Sequence, residues 1–411
     1  MNRNFINNMP EMKSGQELIS ALTVLPEYDD SIRNENQAIR LMQLSDLYRM
    51  YIPSNMSLEI YSKLYLALLR SLQKKGTQAA VRQKYENYKR IQNQDYRGII
   101  GGSDSFTIIG TSGIGKSSAI SRAIELITEN KMIEVEEPYT KIIPCVIVQC
   151  PFDSSVKGLL LEILRKVDEA LETHYYQNAL RARATTDMLI GSVSQVALNH
   201  IGMLIVDEIQ NVVNSKNGKS LIGSLTQLIN NSGISICMVG TPECTPFFEQ
   251  ALQLARRSVG LQYQNMPYDA YFESFCRILF EYQYTKERTE PSPAIYEWLY
   301  EHSAGILSIV VSLIHDAQEI AILSGKERLD MDTLNEAYSQ RLSFLHGYIQ
   351  PCITKCSQTS KRKKKVLIKQ EINTKERIQV KLSDLAIQAK EENLDIVGLV
   401  KEFYTLEEVM I

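Results

Sequence analysis

Gly110-Thr111-Ser112-Gly113-Ile114-Gly115-Lys116-Ser117 decides the fold. Its spacing is G-x-x-x-x-G-K-[ST], and the pattern carries a mechanism. The glycines let successive backbone N–H groups turn inward around a β-phosphate, and the helix that follows adds the positive end of its dipole. Lys116 is placed to bridge β- and γ-phosphates and Ser117 to ligate Mg²⁺, with Ser118 completing the cradle. A short apolar run, Phe106 to Ile109, precedes the loop and reads as a buried strand. Ile120, Ala123, Ile124 and Ile127 follow at helical spacing. Strand, glycine turn and helix are the context such a loop requires, so ATP with Mg²⁺ is the expected ligand.

Outward from the loop the same alternation returns. Strands are predicted at Ile142 to Gln149, Gly202 to Val206, Ile234 to Val239 and near Gly260 to Tyr263, with helices at about Val156 to Leu171, Lys219 to Asn230 and Pro246 to Arg257. This is an α/β pattern, a parallel sheet with helices on both faces. Gly202-Met-Leu-Ile-Val206-Asp207-Glu208 is an apolar strand ending in two carboxylates at the sheet edge where the loop opens. Asp207 is expected to hold Mg²⁺ through water, and Glu208 to polarise the attacking water for in-line displacement. The next strand ends in Gly240-Thr241, a hydroxyl that fits between the carboxylates and a γ-phosphate. Arg256 and Arg257 close the following helix, badly placed for their own site and well placed for a neighbour's γ-phosphate in a ring.

Four regions are expected. Residues 1–97 read as a helical N-terminal extension with a basic segment at 63–97, including a helix over Leu58 to Leu72 and a more basic one after Gly76. Residues 98–266 are the α/β core, 267–346 an all-helical lid containing a helix from Ile306 to Leu323 closed by Gly325, and 347–411 a basic linker with a C-terminal partner-binding tail. The net charge of −3 conceals segregation: Lys63 to Arg97 carries +7 with Tyr85, Tyr88 and Tyr96 interleaved, Lys355 to Lys365 carries +6, and the remainder is strongly acidic. Positive potential is thus concentrated where a polyanion can dock. With 44% hydrophobic and 23% charged residues the chain has a globular composition. The longest apolar stretch, Ala304 to Ile314, is too short for a bilayer span, and Met1 to Lys13 is polar. Neither membrane insertion nor secretion is expected. Seven scattered cysteines point to free thiols in a reducing cytoplasm, and His346, Cys352 and Cys356 match no zinc spacing.

Phosphate loop, intervening strand, Asp-Glu strand, Thr-tipped strand, paired arginines and helical lid together resemble the AAA+ ATPases over residues 100 to 346. Tyr51-Ile-Pro53 with Leu58 to Leu68, Asp153-Ser-Ser-Val-Lys157-Gly158-Leu159-Leu160, and Asp207-Glu208-Ile209-Gln210-Asn211 resemble the TnsC-type ATPases of heteromeric bacterial transposons, relatives of the MuB, TniB and IstB proteins. The resemblance implies ATP-dependent assembly of a homo-oligomeric ring or filament on double-stranded DNA, independent of sequence. It also implies a link between a target-selection protein and the transposase subunits, with weak hydrolysis as the switch. On this reading Lys157, Lys216 and Lys219 project from loops toward a central channel, where lysines touch phosphate without reading sequence. There is one departure. AAA+ lids often carry an arginine at the start of a lid helix, and Ser303-Ala-Gly305-Ile-Leu307-Ser308 offers none. Either another group in the lid senses nucleotide or hydrolysis is slow. Two alternatives stay open: a helicase-loader-like AAA+ ATPase, and an ATPase scaffold acting only on protein partners.

Overall fold

The computed structural model describes residues 9–342 apart from 93, 95, 96, 98–104, 137, 138, 214, 246, 247 and 249–259. The expected helix from Pro246 to Arg257, the cluster His346, Cys352 and Cys356, and the basic C-terminal region lie outside the described residues. The N-terminal part supplies α1 (Gly15–Leu22), α2 (Gln37–Gln43), α3 (Asn55–Lys75) and α4 (Gln78–Ile91). Then follow β1 (Phe106–Gly110), α5 (Lys116–Thr128), β2 (Ile133–Glu136), β3 (Tyr139–Gln149), α6 (Val156–Leu171), α7 (Tyr175–Arg181) and α8 (Thr186–His200). The α/β part continues through β4 (Ile201–Asp207), α9 (Gly218–Ser232), β5 (Ser235–Gly240) and β6 (Leu261–Tyr263).

Among the described residues the sheet runs β2-β3-β4-β5-β1-β6. Every neighbouring pair is parallel except β2 with β3, where Ile133 faces Ile142 across an antiparallel edge. Strands β1, β4 and β5 are near-continuous apolar runs because both of their faces are covered. Side chains alternate along each strand. Leu204, Val206, Ile236 and Met238 meet α6, α8 and α9. Met203, Ile205, Cys237 and Val239 meet α5 and, beside it, α1 and α3.

The N-terminal helices are therefore a layer of the core. α3 presents Ile60, Leu64, Leu68 and Leu72 at helical spacing, all buried. It approaches so closely that a Cβ on Gly202 would meet Leu68 Cδ1 at 2.5 Å and the Pro144 carbonyl oxygen at 2.5 Å. The Ser71 hydroxyl donates to the Gly202 carbonyl at 2.5 Å, and the Ser235 hydroxyl to the Ala67 carbonyl at 2.9 Å. Lys75 is buried and donates to the Ala197 and Leu198 carbonyls at the end of α8, at 2.6 and 2.9 Å; burial pushes its pKa down to about 7.

This corrects part of the basic-window reading. Lys75 and Arg90 are interior residues, Arg90 pairing with Asp187 at 2.9 Å. α4 is inverted: it buries Gln83, Asn87 and Arg90 and exposes Val81, Tyr85 and Tyr88. The buried polar groups are partnered, the Asn87 amide donating to the Asn231 carbonyl at 2.9 Å and the Arg90 guanidinium to Gln227 at 2.9 Å.

The lid comprises α10 (Ala270–Glu281), α11 (Pro293–Ser303), α12 (Leu307–Ser324) and α13 (Met331–Ala337). α12 is longer than the apolar stretch expected to end at Ile314, and is long and apolar enough to cross a membrane. It nevertheless carries Asp316 and Glu319, and packs Val310, Leu313, Ile314, Ala317 and Ala321 into the lid. Gly325 ends it at φ +74°, the left-handed conformation a glycine reaches without strain. Between α1 and α3 the chain visits this lid. Arg40 is buried and pairs with Glu327 at 2.7 Å while donating to the Tyr284 carbonyl at 2.8 Å. Tyr28 donates to the Gln283 carbonyl at 2.6 Å. Val24 and Tyr51 bridge the ends of this excursion with paired backbone hydrogen bonds of 2.8 Å.

Candidate active site

β1 delivers the chain into a turn whose backbone only glycine tolerates well: Gly113 has φ +81° and Gly115 φ +96°. α5 begins at Lys116, so the first-turn N–H groups face the loop. The Lys116 ammonium donates to the Gly110 and Thr111 carbonyls at 2.6 and 2.8 Å. Burial lowers its pKa, while Asp207 and Glu208 oppose that shift.

β4 brings the two carboxylates alongside. Ser117 Oγ lies 3.5 Å from Asp207 Oδ2, a hydroxyl and carboxylate pair of the kind that suits a hard divalent cation. Glu208 has φ +56°, a left-handed conformation that costs a non-glycine residue about 1 kcal/mol or more. It is over-determined there: its N–H donates to Asp207 Oδ1 at 2.8 Å, and the Gln210 amide donates to its carboxylate. Thr241 follows β5 directly, and among the described residues its buried hydroxyl has no hydrogen-bond partner, nor has Gln210 Oε1. A buried polar atom left unpaired costs about 1–3 kcal/mol. Both residues line a cavity of about 250 Å³ together with Ser112, Gly113, Gly115, Lys116, Ser117, Ser118, Asp207, Glu208, Gly240 and Ser308. Unpaired groups facing the phosphate loop fit a phosphate oxygen or a bound water.

A second, mostly apolar cavity of about 230 Å³ meets the loop at Gly113, Gly115 and Ser118. Its walls are Tyr48, Tyr51, Ile52 and Met56 from the N-terminal part, Ile114, and Tyr271, Phe275, Leu307 and Val311 from the lid. Apolar walls beside a phosphate cradle suit a purine base. Sequence reading missed this wall; its one signal was Tyr51-Ile-Pro53, noted only as part of a resemblance. The start of the lid helix α12 offers no arginine, as its sequence shows, and the Ser308 N–H there donates to the Gly113 carbonyl at 3.2 Å.

The three candidate DNA lysines line neither cavity: Lys216 lies on the β4–α9 loop, and Lys157 and Lys219 in the first turns of α6 and α9. Ser154 Oγ donates to the Asn211 carbonyl at 3.1 Å, the Asn211 amide to the Cys150 carbonyl at 2.9 Å, and Ser215 Oγ to the Asp153 carbonyl at 2.9 Å. These bonds tie the β3–α6 loop to the β4–α9 loop. Lys157, Lys216 and Lys219 are exposed and form no ion pair among the described residues. Arg256 and Arg257 lie outside the described residues.

Residues 101–265, from the approach to β1 through β6, match the family described as bacterial TniB protein. Over that span, less than half of its length, the chain resembles TniB. No curated protein matches it. Among solved structures the chain is similar to the Orc1 protein of Aeropyrum pernix in complex with DNA, at 16% identity and a TM-score of 0.40, over 64% of each chain. It thus spans 64% of that protein's length. A Walker-type ATPase of Pyrococcus abyssi follows at 11% identity and a TM-score of 0.39, over 78% of this chain and 88% of the other. A RuvB mutant of Thermotoga maritima matches at 12% identity and a TM-score of 0.34, over 84% of each. These likenesses are distant.

Proposed function

We propose that this ATPase is a regulator of DNA transposition: a cytoplasmic protein that binds double-stranded DNA without regard to sequence when ATP is bound, assembles on it as a homo-oligomer, and links a target-selection protein to transposase subunits. The observation that carries the reading is the braced loop edge with Lys157, Lys216 and Lys219 unpaired. Lys157 and Lys219 sit in the first turns of α6 and α9, which contain no acid. A cation at a helix N-terminus opposes the dipole by about 0.3–1 kcal/mol. An external anion relieves that cost, and a row of phosphates supplies it.

In the nucleotide site Lys116 binds the β- and γ-phosphates, and the backbone N–H groups of residues 110–118 cradle them. Ser117 and Asp207 hold Mg²⁺, which neutralises phosphate charge. Glu208 orients the attacking water, Thr241 donates to that water or to the γ-phosphate, and Arg256 or Arg257 of a neighbouring subunit completes the site. The purine rests between Tyr51, Ile114 and the lid. Nucleotide and DNA are linked through a short path: the Cys150 N–H donates to the Asp207 carbonyl at 2.7 Å, and Asn211, three residues after Glu208, holds the β3–α6 loop.

Fluorescence anisotropy with labelled duplexes of unrelated sequence tests the proposal. ATP-dependent binding that is indifferent to sequence and falls steeply with salt is expected, because lysine contacts release condensed counterions. Binding that ignores nucleotide, or that is unchanged between low and physiological salt, overturns it.

A further inference from the structure

Phe152 is the most exposed large hydrophobic among the described residues, with 90% of its surface open to solvent. Its loop is not loose. The Ser154 N–H donates to the Pro151 carbonyl at 2.8 Å, closing a turn with Phe152 and Asp153 at its corners. Ser154 is held at φ +51°, left-handed for a non-glycine residue, with its side chain fully buried and bonded to the Asn211 carbonyl. The Asp153 carbonyl accepts from Ser215 Oγ at 2.9 Å and from the Asn217 amide at 3.2 Å. A strained, multiply bonded turn that presents a bare phenyl ring keeps that ring from collapsing onto its own surface, and apolar surface gains most when it is taken out of water.

We infer that Phe152 is an apolar contact to duplex DNA, its ring packing on sugar and base edges in a groove while the neighbouring lysines hold the phosphates. The inference rests on the DNA reading above and extends it to a residue and a kind of contact which that reading lacks. Charge selects the occupant. On the two tied loops and the first turns that follow them, Lys157, Lys216 and Lys219 carry positive charge against Asp153 and Glu208; Glu208 lines the nucleotide cavity, and the Asp153 carboxylate already accepts from the Ser155 N–H at 3.0 Å. Cations around a projecting aromatic ring match a polyanion with an apolar interior, and apolar side chains inserted at base steps are an established way to grip a duplex.

The test compares Phe152→Ala with Lys157→Ala in ATP-dependent binding to one duplex over a range of salt. Loss of a ring that stacks on or wedges against bases weakens affinity about tenfold at every salt concentration, with the slope of log affinity against log salt unchanged. Loss of one phosphate contact instead makes that slope shallower by about one. Phe152→Trp should restore binding, and a 2-aminopurine base in the duplex should brighten with the wild type and the Trp variant but not with Phe152→Ala. Binding of a fluorescent ATP analogue reports that each variant is folded. If the wild type binds no duplex, the DNA reading fails first. If the wild type binds and Phe152→Ala binds equally well, the inference is overturned. It is also overturned if Phe152→Ala abolishes assembly in the absence of DNA, which would assign the ring to a subunit interface, or if it spares duplex binding and loses only a polypeptide partner.

Discussion

The α3 layer and the loops at the C-terminal ends of the strands lie a few turns apart and are built on opposite principles. Under α3 leucines interlock with β4 and β5, the Ser71 hydroxyl meets the Gly202 carbonyl, and the Ser235 hydroxyl of β5 meets the Ala67 carbonyl of the helix. At the strand ends Glu208 is strained, and Thr241 Oγ1 and Gln210 Oε1 are unpaired among the described residues. Stability is concentrated in the first region and chemistry in the second. The difference teaches that damage to one should leave the other largely intact.

The largest effect is expected from Leu68→Ala, which opens a cavity against Gly202 and should cost about 3 kcal/mol. Urea unfolding followed by far-UV circular dichroism and by a bound nucleotide analogue should shift together. If only the dichroism shifts, α3 is not part of the core that holds the nucleotide site. Lys75 gives a second probe of the same layer. The unfolded chain keeps the lysine proton to about pH 10.5, whereas the folded protein releases it near pH 7. Between those values the unfolded state binds more protons, so stability rises with pH, by about 2 kcal/mol from pH 7 to 9. That rise should be missing from Lys75→Met, read as the difference between the two melting curves. An identical pH dependence would place the charged lysine in water.

At the strand ends the signs reverse. Glu208→Gln should keep ATP binding and lower hydrolysis at least about tenfold, with the unfolding midpoint little changed. Loss of ATP binding would remove the water-orienting role. Thr241→Val is the sharpest case, because it deletes an unpaired hydroxyl. Turnover should fall several-fold while thermal stability holds or rises by up to about 1 kcal/mol. A clear loss of stability would mean the hydroxyl is satisfied in the ATPase without nucleotide.

The strand ends were the more legible region. Lys116, Ser117, Asp207, Glu208 and Thr241 come together because each closes or opens an element whose apolar run is visible, and a parallel sheet aligns such ends. The α3 layer was legible as a helix but not in its destination: a leucine stripe shows that a face is buried, not which surface buries it. α8 was missed because it is buried nearly all round, at Leu189, Ile190, Val193, Ser194, Val196, Ala197 and Leu198, which blurs the helical period. β2 escaped because four residues at an antiparallel edge leave a short signal. The apolar cavity was legible only in Tyr51-Ile-Pro53, since its N-terminal and lid walls stand more than two hundred positions apart.

The Val24–Tyr51 bridge bears on how the lid moves. It pinches off residues 25–50 as a sling: the chain leaves the core after α1, is tied to the lid through Arg40, Tyr28 and the Gln37 amide on the Ile322 carbonyl, and returns to the core at α3. A lid swinging away from the phosphate loop must carry the sling with it. Bending then falls on two hinges, Met50 to Ser54 and the connection at 264–269, instead of one. Tyr271 already spans them, its hydroxyl donating to the Ile52 carbonyl at 2.9 Å. The apolar cavity is walled by the first hinge, at Met50, Tyr51, Ile52 and Ser54, and by Tyr271 just past the second, so whatever fills it sits close to the axle of the motion, where a small ligand has great leverage over how far the lid turns.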